Sequence, residues 1–144
     1  PHKTPLQLEK TLFVQRQTAT GPVIEPVKGQ DLHPGDLVKV RIVLRVDRAM
    51  EYVHLKDHRG SGTEPTNVLS HYKYQDGLAY YEATGDTATN FFIDYLPKGT
   101  YVFEYPVRVI HNGRYQSGMA SIQCMYAPEF NSHSGSVTMT VTPE

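Results

Sequence analysis

Val38, Val40, Ile42, Leu44 and Val46 alternate with Lys39, Arg41, Val43, Arg45 and Asp47. Successive side chains of a strand point to opposite faces, so this run has one apolar face and one largely charged face. Wound as a helix, the five apolar residues would scatter around the axis, and no other segment shows a helical period. A core for this chain must therefore come from strands. Leu6, Leu8, Leu12 and Val14 predict an N-terminal strand with a break at Lys10. Tyr52 to Lys56 reads as a short strand after a turn at Asp47-Arg48. Residues 68–74 and 78–83 flank Gln75-Asp76-Gly77, where Asp-Gly is a hairpin signal. Phe91, Ile93 and Tyr95 alternate up to a turn at Leu96-Pro97-Lys98-Gly99. Tyr101, Phe103 and Tyr105 form the next strand, continued by Val107 and Val109. Pro106 within it has no N–H to donate, which places it at an edge or a bulge. His111-Asn112-Gly113 reads as a second hairpin turn with residues 114–126 as its return strand, and Val137, Met139 and Val141 close the chain. Residues 17–35 form a polar connection with a short edge pairing at Val23-Ile24, and residues 59–66 read as the most flexible loop.

About eight or nine strands separated by turn signals predict an all-β fold, a two-sheet antiparallel β-sandwich of fibronectin-III or immunoglobulin-like architecture. A closed barrel is the all-β alternative. The 144 residues form one domain, 1–144, long enough to hold a core without cross-links. The one cysteine, Cys124, has no intrachain partner, which excludes a disulfide, a four-thiolate zinc site and CxxC chemistry. Lys and Arg number 14 against 15 Asp and Glu. That balance argues against nucleic acid or anionic membrane as partner, since both need clustered positive charge. Apolar runs fall far short of the ~20 residues of a membrane helix. The chain opens at Pro1 without a methionine, so we expect a piece of a longer chain.

Chemistry-bearing patterns are sparse. His54 and His58 are four apart, a zinc spacing on a helix; in a strand they stand about 13 Å apart, and we read them as surface histidines. Cys124 with His111 or His133 is a nominal nucleophile and base, but nothing local marks it, and we read the thiol as buried and inert. Asp57, Glu64, Asp76, Glu82, Asp86 and Asp94 are scattered carboxylates that define no catalytic pair. No GxSxG, P-loop or GxGxxG occurs, so we expect no enzyme, no cofactor and no metal. Tyr72, Tyr74, Tyr80 and Tyr81 either form a stacking platform for sugar, as in an adhesion or carbohydrate-binding module, or pair across their own hairpin. In Cys124-Met125-Tyr126-Ala127-Pro128-Glu129-Phe130, a strand gives way to a loop. Apolar residues there either fold back onto the core or meet a partner, and both readings stand open.

Three runs carry a resemblance. Asp47-Arg48-Ala49-Met50-Glu51-Tyr52-Val53-His54-Leu55-Lys56-Asp57, Tyr95-Leu96-Pro97-Lys98-Gly99-Thr100-Tyr101 and Met125-Tyr126-Ala127-Pro128-Glu129 look like motifs of bacterial alpha-2-macroglobulin-like proteins. All three resemble the last macroglobulin-like domain of those proteins, in the same order and over nearly the whole chain. The resemblance implies a macroglobulin-like β-sandwich at the C-terminus of a much larger, periplasmic or envelope-associated protease trap. It implies the parent's other domains as partners, chiefly a helical thioester-type domain, with target proteases reached through the parent. It also implies that Met125 and Tyr126 shield the thioester from water, with Pro128, Glu129 and Phe130 shaping the contact loop.

Overall fold

The computed structural model describes residues 5–66, 70–75, 77–85 and 87–143. Asp76, at the first predicted hairpin turn, and Asp86 lie outside the described residues. Fourteen strands occur among the described residues: β1 (Leu6–Thr18), β2 (Gly21–Pro26), β3 (Asp31–Leu32), β4 (Leu37–Val46), β5 (Met50–His58), β6 (Thr63–Pro65), β7 (Ser70–Gln75), β8 (Leu78–Thr84), β9 (Ala88–Leu96), β10 (Gly99–Val109), β11 (Gly113–Gln116), β12 (Ala120–Cys124), β13 (Ala127–His133) and β14 (Thr138–Val141). One sheet runs β2-β1-β4-β10-β6 and a second runs β13-β12-β5-β9-β8-β7. The fold is the predicted all-β sandwich, open rather than closed into a barrel, with more strands than the alternation reveals.

The two large sheets meet through their apolar faces. β4 buries Val38, Val40, Ile42, Leu44 and Val46, the residues whose alternation demanded a strand. Across from them, β5, β9 and β12 contribute Val53, Leu55, Phe91, Ile93 and Ile122 to the same cluster. Aromatic rings lock the layers at one end: Phe103 of β10 lies 5.0 Å from Phe91 of β9 and 5.0 Å from Tyr80 of β8. Such pairs add about 0.5–1.5 kcal/mol each beyond the area they bury.

Several expectations need correction. A third sheet, β11-β14-β3, accompanies the two large ones, and its β14–β3 pairing is parallel. Strands as short as two to four residues carry too few side chains for a period to show. His111-Asn112-Gly113 does turn the chain, but not into a hairpin: β11 pairs with β14, not β10. The end of β10 is already occupied, because the Val109 amide donates to Asp36 and the Ile110 amide to Gly62. The predicted return strand 114–126 is broken into β11 and β12 by Ser117-Gly118-Met119 and ends at a turn. Within the loop predicted as most flexible, Thr63–Pro65 is ordered as β6 on the edge of β10. Val23 and Ile24 do lie on an edge strand, β2.

Pro106 sits where its missing N–H does no harm. The Val102 amide points away from β4 and donates to Oε1 of Gln75, 2.9 Å away. Amides alternate sides along a strand, so the position of Pro106 faces the same open side. Only from Val107 onward does β6 cover that edge.

Candidate functional site

β12 alternates Ala120, Ile122 and Cys124 into the core, and the pairing with β13 then shifts at Gln123/Cys124. A β-bulge of this kind re-aims the chain. It delivers Met125 and Tyr126 as the two residues between β12 and β13, 54% and 81% exposed. Both stand out in solvent, so of the two readings left open the fold-back onto the core is excluded for these side chains. The turn is nonetheless held. The Met125 amide donates to the Tyr52 carbonyl at 2.8 Å, and the Cys124 thiol donates to the Glu51 carbonyl. Asn131 donates its side-chain amide to the Pro128 carbonyl at 2.7 Å. Phe130 is half-buried against the core with the Arg48 guanidinium 5.6 Å from its ring centre. The predicted contact residues therefore divide: Met125, Tyr126, Pro128 and Glu129 face solvent, and Phe130 anchors.

Tyr52 belongs to this site and was not singled out by its sequence context. Its ring meets that of Tyr126 edge-on, with centroids 5.4 Å apart. Its backbone has φ 54, the sole positive value at a non-glycine among the described residues. For an L-residue with a large side chain that conformation costs about 1–2 kcal/mol. Tyr52→Gly is therefore expected to be about 1 kcal/mol more stable than Tyr52→Ala in urea unfolding, the reverse of the usual order within a strand. Equal stability of the two variants would refute the strain.

A second cluster fixes β5 at its other end, away from the turn, where Asp57 pairs with Ala120. Lys10 does not break β1; it pairs in register with Ile42 and points inward alongside Leu8 and Leu12. Its ammonium lies 2.6 Å from Oδ1 of Asp57, with the two side chains 1% and 0% exposed. It also donates to the carbonyls of His58, Ser117 and Gly118. The Tyr105 hydroxyl donates to Oδ2 of Asp57. Burial pulls the Lys10 ammonium below its usual pKa and pushes the Asp57 carboxyl above its own; each opposes the other's shift by attraction. One cation thus ties β1, β5 and the segment leading into β12 together.

The remaining candidates do not assemble into chemistry. Cys124 is buried and burial raises its thiol pKa; its hydrogen bond goes to Glu51 and not to His111 or His133. His54 bonds Asn90 at 2.8 Å and stacks on Phe92. No three His, Cys, Asp or Glu converge as metal ligands among the described residues. In the tyrosine hairpin, Tyr80 points into the core at 7% exposure and is lost to any platform. Tyr72 and Tyr74 are exposed, and Tyr72 pairs edge-on with Tyr81 across the hairpin at 4.9 Å. Among the described residues, no helix is long and apolar enough to cross a membrane.

Solved structures share this architecture. Alpha-2-macroglobulin of Salmonella reacted with methylamine matches 99% of this chain at TM-score 0.73 and 20% identity. Escherichia coli alpha-2-macroglobulin matches 99% at 16% identity, as native protein from domain MG7 to the C-terminus (TM-score 0.73) and as the trypsin-activated form (0.74). The chain spans 10%, 24% and 11% of those three chains, respectively. No curated protein matches. Residues 6–129 match the family described as bacterial alpha-2-macroglobulin MG10 domain, and the chain belongs to that family.

Proposed function

We propose that this chain is the non-catalytic terminal domain of a bacterial protease-trapping alpha-2-macroglobulin, and that it packs through Met125 and Tyr126 against a neighbouring helical, thioester-type domain. The observation that carries this reading is the turn itself: two large apolar side chains held out in solvent on an anchored backbone. Leaving such residues wet is unfavourable, and burying each against a partner contributes about 2 kcal/mol. A thioester is an activated acyl group that survives only while water and amines are kept out. Met fills irregular gaps and Tyr lays down a flat cover, so the pair suits a lid. Pro128 and Glu129 extend the contact, and Phe130 holds the loop to its own domain. Target proteases are met by the parent, and the setting is the periplasm or cell envelope; the domain itself needs no cofactor.

Tyr126→Ala tests the reading in the full-length parent. The ring is exposed, so the thermal midpoint of this domain is expected to stay unchanged. Inactivation by methylamine is expected to speed up about tenfold, the factor that ~1.4 kcal/mol of lost lid contact yields. Unaltered sensitivity to methylamine would remove Tyr126 from the lid.

A further inference from the structure

A groove of about 500 Å³ lies on the outer face of the six-stranded sheet, lined among others by Tyr72, Tyr81, Phe92, Asp94 and Tyr95. Register builds it. Tyr72 pairs with Tyr81 and Tyr81 with Phe92, so three rings from three strands stand in one row. Asp94 is two residues beyond Phe92 and shares its face. No hydrogen bond or ion pair engages Asp94 among the described residues, and no Lys or Arg lines the groove.

Elsewhere this chain covers aromatic faces with its own arginines. Arg41 lies over Phe13 at 4.5 Å and Arg48 over Phe130 at 5.6 Å. Among the described residues, no arginine or lysine of the chain lies over the rings of the groove, and His54 stacks on Phe92 alone. We propose that the groove takes the guanidinium of an arginine presented by a partner protein. The ring faces carry negative potential, and Asp94 adds a full negative charge among them. A guanidinium is flat and weakly hydrated, so it stacks on tyrosine while bonding a carboxylate. A sugar fits less well. Its many hydroxyls need several fixed polar groups, and the groove offers one carboxylate and the phenol hydroxyls. The site stands whether or not Met125 and Tyr126 form a lid.

The probe is acetyl-Gly-Arg-Gly-amide, titrated into the 144-residue chain while the backbone amide signals of Ala79, Phe92 and Tyr95 are followed by NMR. The same peptide with citrulline, which keeps the shape and lacks the charge, is the control, and cellobiose is the competing ligand. Saturable shifts at the groove are expected with the arginine peptide. Binding is expected to be about fivefold weaker with citrulline, and about fivefold weaker in Asp94→Asn or Tyr72→Ala. Both substituted side chains are exposed, so the fold tolerates the changes. Absence of groove shifts, equal binding of citrulline, full binding by Asp94→Asn, or shifts produced by cellobiose alone would each overturn the proposal.

Discussion

Lys10→Met is expected to lower the unfolding free energy by about 3–5 kcal/mol, read as a shift of the urea midpoint. Methionine fills most of the same volume, so the loss is electrostatic. It leaves Asp57, with a side chain 0% exposed, as a buried carboxylate whose remaining partner is the Tyr105 hydroxyl. It also leaves the inward carbonyls of His58, Ser117 and Gly118 without the ammonium. For that reason Lys10→Met/Asp57→Asn is expected to recover only part of the loss: the stranded charge is gone, but the carbonyls are still unmatched. A midpoint unchanged by Lys10→Met would mean that the pair contributes nothing. The pH dependence has a definite sign. A carboxyl that holds its proton more tightly when folded contributes stability below its unfolded pKa and loses it as pH rises through the folded one. Burial raises Asp57 from the ordinary 3.8, so the wild type is expected to lose ground against Asp57→Asn as pH climbs above about 4.

Gly118→Ala is the second large effect, about 2–4 kcal/mol of destabilisation in the same assay. Two causes add. Gly118 has φ +85, a conformation open to glycine and strained for alanine. A Cβ there would stand 2.4 Å from the His58 carbonyl oxygen, which is backbone and cannot swing aside. That carbonyl and the one on Gly118 itself both accept from Lys10, so displacing the segment also loosens the buried pair. Gly135→Ala, with open space around it and no left-handed φ, is the control and is expected to be near neutral. Comparable losses at both positions would show that the close approach at Gly118 is not what matters.

Alternation made the long strands legible because burial of one face imposes a period of two on β4 and β10. It also contained the buried triad. Lys10 shares its parity with Leu6, Leu8, Leu12 and Val14; Asp57 with Val53 and Leu55; Tyr105 with Tyr101 and Phe103. Reading Lys10 as a break discarded that parity on grounds of polarity. A charged residue on an apolar face signals a partner on the facing sheet, and Asp57 was such a residue. The contact turn was legible as residues, not as geometry. Met125 and Tyr126 were marked by composition and resemblance, but their exposure depends on the bulge at Gln123/Cys124. Tyr52 was hidden because its position follows from a left-handed backbone that no local residue type announces. Short strands such as β3 and β6 exist because β14 and β10, distant in sequence, present bonding edges to them, which is a tertiary fact.

The outer margin of β10 has a consequence for solubility. A β-rich chain with a bare margin recruits a strand from another molecule and starts a fibril. Here Gln75 spends its carboxamide on the Val102 amide, and Pro106 has no amide to offer. Of the amide positions of Val102, Glu104 and Pro106 on that side, an invading strand would find those of Val102 and Pro106 unavailable, with only the Glu104 donor between them. This margin of β10 is thus guarded against misassembly by one side-chain bond and one imino acid, at a cost of no extra secondary structure.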